Sequence, residues 1–273
     1  MTANLLGTDV EEVLGEVLRG EPSELYVVNP SADTVERVVD ATTNYEGDLP
    51  TIKLVAEKGL LKDVMDDFIV ASNTADLLES GTLELATADA SNRSSLLVTE
   101  TQTVSLVEAG GQVGGVATDD PDFAATSYDA AVETFDDADE FSLRTPAISR
   151  VRQTLDDEIS PDVEGDFDGV MASMETARGD GDGLDEVTVS LLVAAKNRVL
   201  LYDISKWGED VGIASKATFS RTKTKLEDKG LIDTEKVPID VGRPRLRLKL
   251  ADDRLEEAPP SELANVAQTV LAS

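Results

Sequence analysis

The chain is 273 residues long and 41% hydrophobic, which suits a globular protein with room for two domains. It contains no cysteine and no histidine, which excludes disulfides, Cys/His zinc sites, thiol nucleophiles and Ser-His-Asp triads. Because a metal site would need oxygen ligands only, and acid–base chemistry would rest on carboxylates, Lys or Tyr, we expect no metal, no cofactor and no enzymatic activity.

The formal net charge is −31. Self-repulsion of this size destabilises a compact fold at low ionic strength, whereas salt near 1 M shortens the screening length to about 3 Å. The composition therefore favours a halophilic source. The alternative is an acidic protein from a low-salt cell that binds basic partners.

Membrane insertion and export are not expected. Apolar runs stay well short of the roughly 20 residues needed to span a bilayer. Met1-Thr2-Ala3-Asn4 lacks the basic and apolar regions of a signal peptide. These features predict a soluble, cytoplasmic protein without membrane contact.

Residues 1–140 alternate between helical and strand patterns before a run of strand patterns. Helical patterns cover about 9–19, 33–45 and 60–80, and strand patterns cover 24–29, 51–56, 82–87, 95–100, 103–108 and 112–117. This order predicts an α/β domain with a mixed sheet, with Asp33 and Glu36 as a capping box and Gly110-Gly111 as a hairpin turn. The domain either senses an effector or binds a protein, or it dimerises or spaces the chain without a ligand; no pocket residue is identified by its pattern.

Residues 141–183 predict a helical connector. Ser160 suits an N-cap and Pro161 the first helical position. A stripe of Phe167, Val170, Met171, Met174 and Arg178 follows, on a helix predicted to end at residues 179–183. Such a stripe packs into a core or forms a dimer interface, and both alternatives remain open.

The same stretch nearly matches a calcium-binding loop. Glu164, Asp166, Asp168, Gly169 and Glu175 occupy the positions of that loop, with glutamate where aspartate is usual. In a chain with 55 acidic residues such near-matches arise by chance, and this one overlies a good helix pattern. We therefore expect no calcium there.

Basic residues are concentrated in one part of the chain. Residues 1–183 contain 10 Lys and Arg against 40 Asp and Glu, whereas residues 184–250 contain 13 against 10. A cationic segment in a strongly acidic chain indicates nucleic-acid binding.

Residues 184–250 also carry the pattern of a winged helix-turn-helix. A first helix begins near Asp185-Glu186, and a short second helix covers about 204–210 and buries Trp207. The turn at 211–214 contains Gly212, which is free to adopt a positive φ.

The third helix of this segment carries the binding hypothesis. Ser215 suits its N-cap and Gly230 its end, with Phe219, Thr222 and Leu226 on an inward stripe. The opposite side is small, hydroxylated and cationic, so it could enter a major groove and reach base edges and phosphates. The alternative is an ordinary basic surface helix. The predicted DNA-binding residues on this helix are Ser215, Lys216, Ala217, Thr218, Ser220, Arg221, Thr224 and Lys225.

A β-hairpin is predicted after the third helix. Residues 231–237 have a strand pattern, and residues 245–250 alternate strictly between cations and leucines. The hairpin forms a wing, with Arg243 at its tip placed to enter a minor groove or contact phosphate. Arg245, at the start of the returning strand, is the second predicted contact of the wing.

Residues 251–273 predict a C-terminal amphipathic helix that follows Pro259-Pro260. Its apolar stripe packs on the wing domain or pairs across a dimer, and both alternatives remain open. The stripe consists of Leu263, Val266, Val270 and Leu271.

Three motifs resemble the winged-helix segment of haloarchaeal regulators: residues 215–223, Gly230-Leu231-Ile232 and residues 241–245. With its N-terminal part included, the chain resembles the TrmB-suppressor (TbsP) type. This resemblance implies a transcription factor acting on central sugar-metabolism genes. It also implies a sensing N-terminal half, distantly like a phospholipase-D-type α/β domain whose catalytic histidine is missing here.

Together these features predict a two-domain homodimer that binds double-stranded DNA at two half-sites. A sugar-related small molecule is the expected effector of the N-terminal domain. One alternative is a winged helix used for protein–protein contacts within a transcription complex. The other is a carboxylate-only enzyme in the N-terminal domain.

Overall fold

The computed structural model describes residues 3–5, 9–45, 47–89, 94–109, 112–178, 183–238 and 244–271. The chain divides into two units. The first comprises Met1–Asp66 and Asn73–Leu143, and the second comprises Asp67–Ser72 and Arg144–Ser273.

The first unit is an α/β domain, as predicted. Its elements include α4, whose residues 68–72 belong to the second unit. In chain order they are β1 (Ala3–Leu5), α1 (Val10–Leu18), β2 (Glu24–Val28), α2 (Ala32–Thr43), β3 (Thr51–Ala56), α3 (Lys58–Val64), α4 (Phe68–Glu79), β4 (Leu83–Thr87), β5 (Ser95–Val98), β6 (Thr103–Ala109), β7 (Gln112–Thr118), α5 (Pro121–Asp136) and β8 (Asp139–Glu140).

These described strands form one mixed sheet in the order β1-β7-β6-β5-β2-β3-β4-β8. The neighbours β2, β3 and β4 run parallel. The pairs β2–β5, β5–β6, β6–β7, β7–β1 and β4–β8 are antiparallel. Helices connect the parallel strands, whereas β5, β6 and β7 are antiparallel neighbours that follow one another along the chain. The predicted mixed sheet is therefore confirmed. The turn predicted at Gly110-Gly111 lies outside the described residues.

Helix α5 is absent from the sequence prediction. Asp120 caps it by accepting a hydrogen bond from the Phe123 amide at 3.0 Å, and Pro121 occupies its first turn. Its only fully buried residues among those described are Ala124 and Ala131, so the helix has no strong apolar stripe. It nevertheless packs against β2, β3, β5 and β6.

The predicted capping box at the start of α2 is wrong. The N-cap is Ser31, whose Oγ accepts from the Thr34 amide at 3.2 Å. Asp33 instead forms an ion pair with Arg37 at 3.2 Å. The cap lies two residues earlier because Ser31 itself adopts the extended backbone that an N-cap requires.

The second unit is mainly helical and ends with the predicted hairpin and terminal helix. It contains α6 (Ile148–Glu158), α7 (Pro161–Met171), α8 (Glu186–Lys196), α9 (Leu201–Val211), α10 (Lys216–Asp228), β9 (Ile232–Val237), β10 (Arg245–Leu250), α11 (Asp253–Glu257) and α12 (Pro260–Leu271). One apolar core runs through all of these elements.

The apolar stripes of α7 and α12 pack within the chain. Phe167 of α7 and Leu263 of α12 are almost completely buried in the shared core. At Gly169 of α7, an added Cβ would lie 2.8 Å from Cβ of Pro260. Both stripes are thus used for packing inside the second unit.

The near-match to a calcium loop lies mostly on α7, which is a helix over residues 161–171. Asp166 accepts a hydrogen bond from Nδ2 of Asn197 at 2.6 Å. Asp168 accepts from Nε of Arg152, also at 2.6 Å. These two carboxylates therefore join α7 to neighbouring helices of the second unit.

Glu186, at the start of α8, is a source of pH-dependent stability. Burial, reinforced by the nearby carboxylates of Asp185 and Asp67, raises the pKa of Glu186 to about 7. An unfolded glutamate titrates near 4.3. The folded protein therefore binds this proton more tightly, so stability is gained as the pH falls from about 7 towards 4.5.

We expect Glu186→Gln to raise the free energy of unfolding by about 1–3 kcal/mol at pH 8, because it removes an ionised group from a half-buried position. The gain should largely vanish near pH 4.5. Urea unfolding at constant ionic strength measures both values, with Glu133→Gln on the exposed side of α5 as control. An equal gain at both pH values would contradict this assignment.

Candidate nucleic-acid interface

A tight turn joins α9 to α10. The carbonyl of Gly208 accepts hydrogen bonds from the amides of Gly212, Ile213 and Ala214 at 3.2, 2.8 and 3.3 Å. Gly212 has a φ of +98°, a conformation that side-chain-bearing residues rarely adopt. Ser215 then caps α10, its Oγ accepting from the Thr218 amide at 3.2 Å. The predicted turn and cap are both present.

The inner side of α10 is fixed by close packing. Phe219 and Leu226 are 0% and 1% exposed. The Phe219 ring lies directly against Gly208 of α9, so closely that a Cβ at that glycine would overlap the ring. Thr222 lies between them but is only half-buried. This contact sets which side of α10 faces outward.

The outer side of α10 brings together all eight residues predicted on this helix. Lys216 and Thr218 are half-buried. The exposed members are Ser215, Ala217, Ser220, Arg221, Thr224 and Lys225. We call these eight residues the α10 surface. It presents small and hydroxyl side chains together with three cations.

The wing is an antiparallel pair of β9 and β10, in register from Arg245 opposite Val237 to Leu250 opposite Ile232. Leu248 and Leu250 of β10 are buried. The segment between α8 and α9 adds a short third edge, because Leu200 forms a bridge with Arg247. The hairpin and the alternation of its second strand are as predicted.

Arg245 is exposed at the start of β10, whereas Arg243 lies outside the described residues. The side chain of Arg245 contacts the aromatic ring of Tyr202. The guanidinium carbon lies 4.8 Å from the ring centroid of Tyr202, a residue near the start of α9 that is 49% exposed. Tyr202 was missed in the sequence, since nothing in its pattern shows that α9 and β10 meet.

Carboxylates neutralise part of the cationic surface. The pairs are Lys216 with Glu209 at 2.6 Å, Arg245 with Asp203 at 3.6 Å, Arg247 with Glu235 at 3.3 Å, and Lys249 with Asp233 at 2.8 Å. The Lys216 ammonium correspondingly lowers the pKa of Glu209. A phosphate that binds these cations must compete with an internal anion, which lowers the net gain of binding.

Arg221 and Lys225 differ from these paired cations. Within the described part of the chain, neither lies within 4.0 Å of a carboxylate oxygen. Among the described residues, the guanidinium of Arg221 donates a hydrogen bond only to Oγ1 of Thr218, from Nη2 at 3.3 Å. Their charges are therefore available to an external anion without loss of an ion pair.

The described helices include none that is both long and apolar enough to cross a membrane.

Two family models match the chain. Residues 2–146 match the model of the TbsP-like transcriptional regulator N-terminal domain, and residues 147–268 match that of the TbsP-like C-terminal HTH domain. No curated protein matches the chain. A solved structure, TrmBL2, described as an archaeal chromatin protein with a novel mode of DNA binding, is similar with 15% identity and a TM-score of 0.37. That match covers 51% of this chain and about half, 54%, of TrmBL2. On the two family matches, which together span nearly the whole sequence, the chain belongs to the TbsP-like family of transcriptional regulators.

Proposed function

We propose that this regulator binds double-stranded DNA through the α10 surface in the major groove and through its wing. The observation that carries the proposal is the outer side of α10, where Arg221 and Lys225, which form no ion pair with a described residue, lie beside small and hydroxyl residues. Small residues let a helix approach base edges closely, and cations bind the phosphates that line the groove.

Each side chain has a role set by its place in the surface. Arg221, at the middle of α10, is suited to a bidentate contact with guanine, flanked by the hydroxyls of Ser220 and Thr224. Lys216 near the helix start and Lys225 near its end would contact phosphates. The wing residues Arg243 and Arg245 would contact the minor groove or backbone.

We further propose a homodimer on a two-fold operator, because one winged helix covers a single half-site. The targets would be sugar-metabolism genes, as the family resemblance implies.

A halophilic cell would supply the salt that screens the net charge of −31. The first unit would hold a small-molecule effector.

Catalysis is not part of the proposed function. Lys53 is the half-buried lysine of the first unit, and it donates to Oε1 of Glu24 at 2.7 Å. That hydrogen bond raises the pKa of Lys53, which disfavours the neutral amine that a nucleophilic lysine requires. Hydrogen bonding to Glu24 likewise raises the pKa of the Tyr128 hydroxyl.

The test is selection of bound sequences from random duplex DNA, followed by gel retardation over a range of KCl concentrations. We expect a preferred two-fold sequence whose affinity falls as salt rises. Absence of retardation at every salt concentration would contradict the proposal and favour the use of the winged helix for protein contacts.

The ion pair at the start of α10 gives a separate prediction. Glu209→Gln should increase DNA affinity about 2- to 5-fold, because Lys216 no longer has an internal carboxylate and local repulsion of phosphate falls. Fluorescence anisotropy with the selected duplex measures this. Glu133→Gln removes one charge elsewhere and should leave affinity nearly unchanged; an equal gain in both variants would indicate a net-charge effect only.

A further inference from the structure

A cleft in the first unit is the strongest feature that the DNA-binding surface leaves unexplained. It lies where β2 and β3 end, between these strands and α5, with a volume of about 330 Å³. Its walls are largely aliphatic, formed by Val28, Val55, Leu96, Val98 and Ala131. A volume of this size suits a small organic molecule.

The position of the cleft favours ligand binding. At β2 the sheet changes from a parallel neighbour, β3, to an antiparallel one, β5. In open α/β sheets, ligands bind in crevices outside the carboxyl ends of the parallel strands, which is where this cleft lies. Asn29, which follows β2 and lines the cleft, has a φ of +51°. Asparagine adopts this conformation more readily than most residues, so Asn29 forms the bend at the end of β2 without marked strain.

The mouth of the cleft combines apolar side chains with the hydroxyl groups of Thr126, Ser127 and Thr134. Phe123, at the start of α5, lines the cleft with 54% of its surface exposed. Further along α5, Ala130 is also exposed and presents only a methyl group. An exposed ring and a small residue leave room for, and apolar contact with, the body of a ligand.

Charge in and beside the cleft is mainly negative among the described residues. Among the described lining residues, Asp89 is the only charged side chain. A second cleft shares Ala88 and Asp89 with the first and is lined by further acids, with Lys58 its one described cation. Those further acids are Glu57, Asp137 and Asp139. An anionic ligand such as a sugar phosphate would be repelled here, whereas a cation would be attracted.

We propose that this cleft binds a small organic cation: an amine whose apolar or aromatic body contacts Phe123 and the aliphatic walls, and whose ammonium group lies beside Asp89. The assignment of this molecule as an effector rests on the proposed function in transcription. Binding of the amine itself does not depend on that function.

Titration calorimetry at constant ionic strength tests the proposal with phenethylamine, 3-phenylpropionate and glucose 6-phosphate. We expect saturable binding of the amine, at least about 10-fold tighter than of either anion, since charge is the main difference between the two phenyl compounds. Asp89→Asn should weaken amine binding several-fold. Equal or tighter binding of an anion, or no saturable binding of millimolar amine, would overturn the proposal.

Location is tested by filling the cleft. Ala130→Trp should abolish amine binding, whereas Ala125→Trp, at an exposed position of α5 outside the cleft, should not. Thermal unfolding checks that both variants fold. Unchanged amine binding in Ala130→Trp would overturn the assignment to this cleft. Gel retardation of DNA by the same variants distinguishes the amine site from the proposed DNA binding. If the wild-type protein retards DNA but binds no amine, the effector site is contradicted and the DNA-binding function is not.

Discussion

Gly208→Ala is expected to lower the free energy of unfolding of the second unit by about 2–3 kcal/mol, the largest stability change that we predict. The added Cβ would overlap the ring of Phe219, which is fully buried in a close-packed core, so that the ring and its neighbours would have to shift. The helix propensity of alanine, about 1 kcal/mol better than that of glycine, would offset only part of this cost. Urea unfolding measured by far-ultraviolet circular dichroism gives the value.

The chain offers a matched control for this substitution. Gly165 is also inside a helix, α7, but an added Cβ there would have no atom within 4 Å. Gly165→Ala should therefore stabilise the protein by about 0.5–1 kcal/mol. In the Gly208→Ala background, Phe219→Leu should recover part of the loss. Equal effects of the two alanine substitutions would show that α9 and α10 do not pack as described.

Arg221→Ala is expected to weaken specific DNA binding by about 1–3 kcal/mol, or roughly 5- to 150-fold, and to relax the base preference at one position. The reason is that Arg221 is exposed at the middle of α10 and forms no ion pair with a described carboxylate, so its charge is free to bind DNA. Fluorescence anisotropy with the selected duplex and its single-base variants measures both effects. The stability of the fold should change little, because the side chain is outside the core.

Two controls distinguish recognition from charge. Arg254→Ala removes one positive charge from α11, where the guanidinium pairs with Asp252 at 2.7 Å, and should cost little affinity. Arg221→Lys keeps the charge but loses the planar fork, so it should lower specificity more than affinity. Wild-type binding by Arg221→Ala would show that α10 is not the recognition helix.

The winged helix could be predicted from the sequence because residues with strong preferences for caps and turns lie at the ends of its helices. Ser215 caps α10 and Gly212 supplies the positive φ of the turn, while Gly230, with φ of +74°, follows its end. The strict alternation of β10 identified its buried side in the same way. Local sequence and tertiary packing agree throughout this segment.

Helix α5 was missed in the sequence, although Asp120 and Pro121 mark its start as Ser160 and Pro161 mark that of α7, and the candidate effector cleft depends on it. Its side towards the sheet uses small residues such as Ala124 and Ala131, which give almost no periodic signal. Because α5 forms one wall, the aliphatic cleft could not be inferred either.

The partners of the surface cations were also beyond the sequence. Asp203, the partner of Arg245, lies on α9, far from Arg245 along the chain. Glu209, the partner of Lys216, also lies on α9, whereas Lys216 begins α10. Only the packing of α9 against α10 and β10 brings these charges together. The sequence located the cationic surface but not the degree to which it is neutralised.

The central claim is that α10 is the helix that binds DNA. Because the chain contains no cysteine, a substitution to cysteine introduces a single thiol that can be labelled specifically, and this gives the most direct test. Thr224→Cys on the outer side of α10, and Thr269→Cys on the exposed side of α12, would each carry an iron chelate that cleaves nearby DNA. We predict that the chelate at position 224 cuts the selected duplex at a few adjacent nucleotides within each half-site, and that the chelate at position 269 does not. Strong cleavage from position 269 with none from position 224 would contradict the assignment of α10 as the DNA-binding helix.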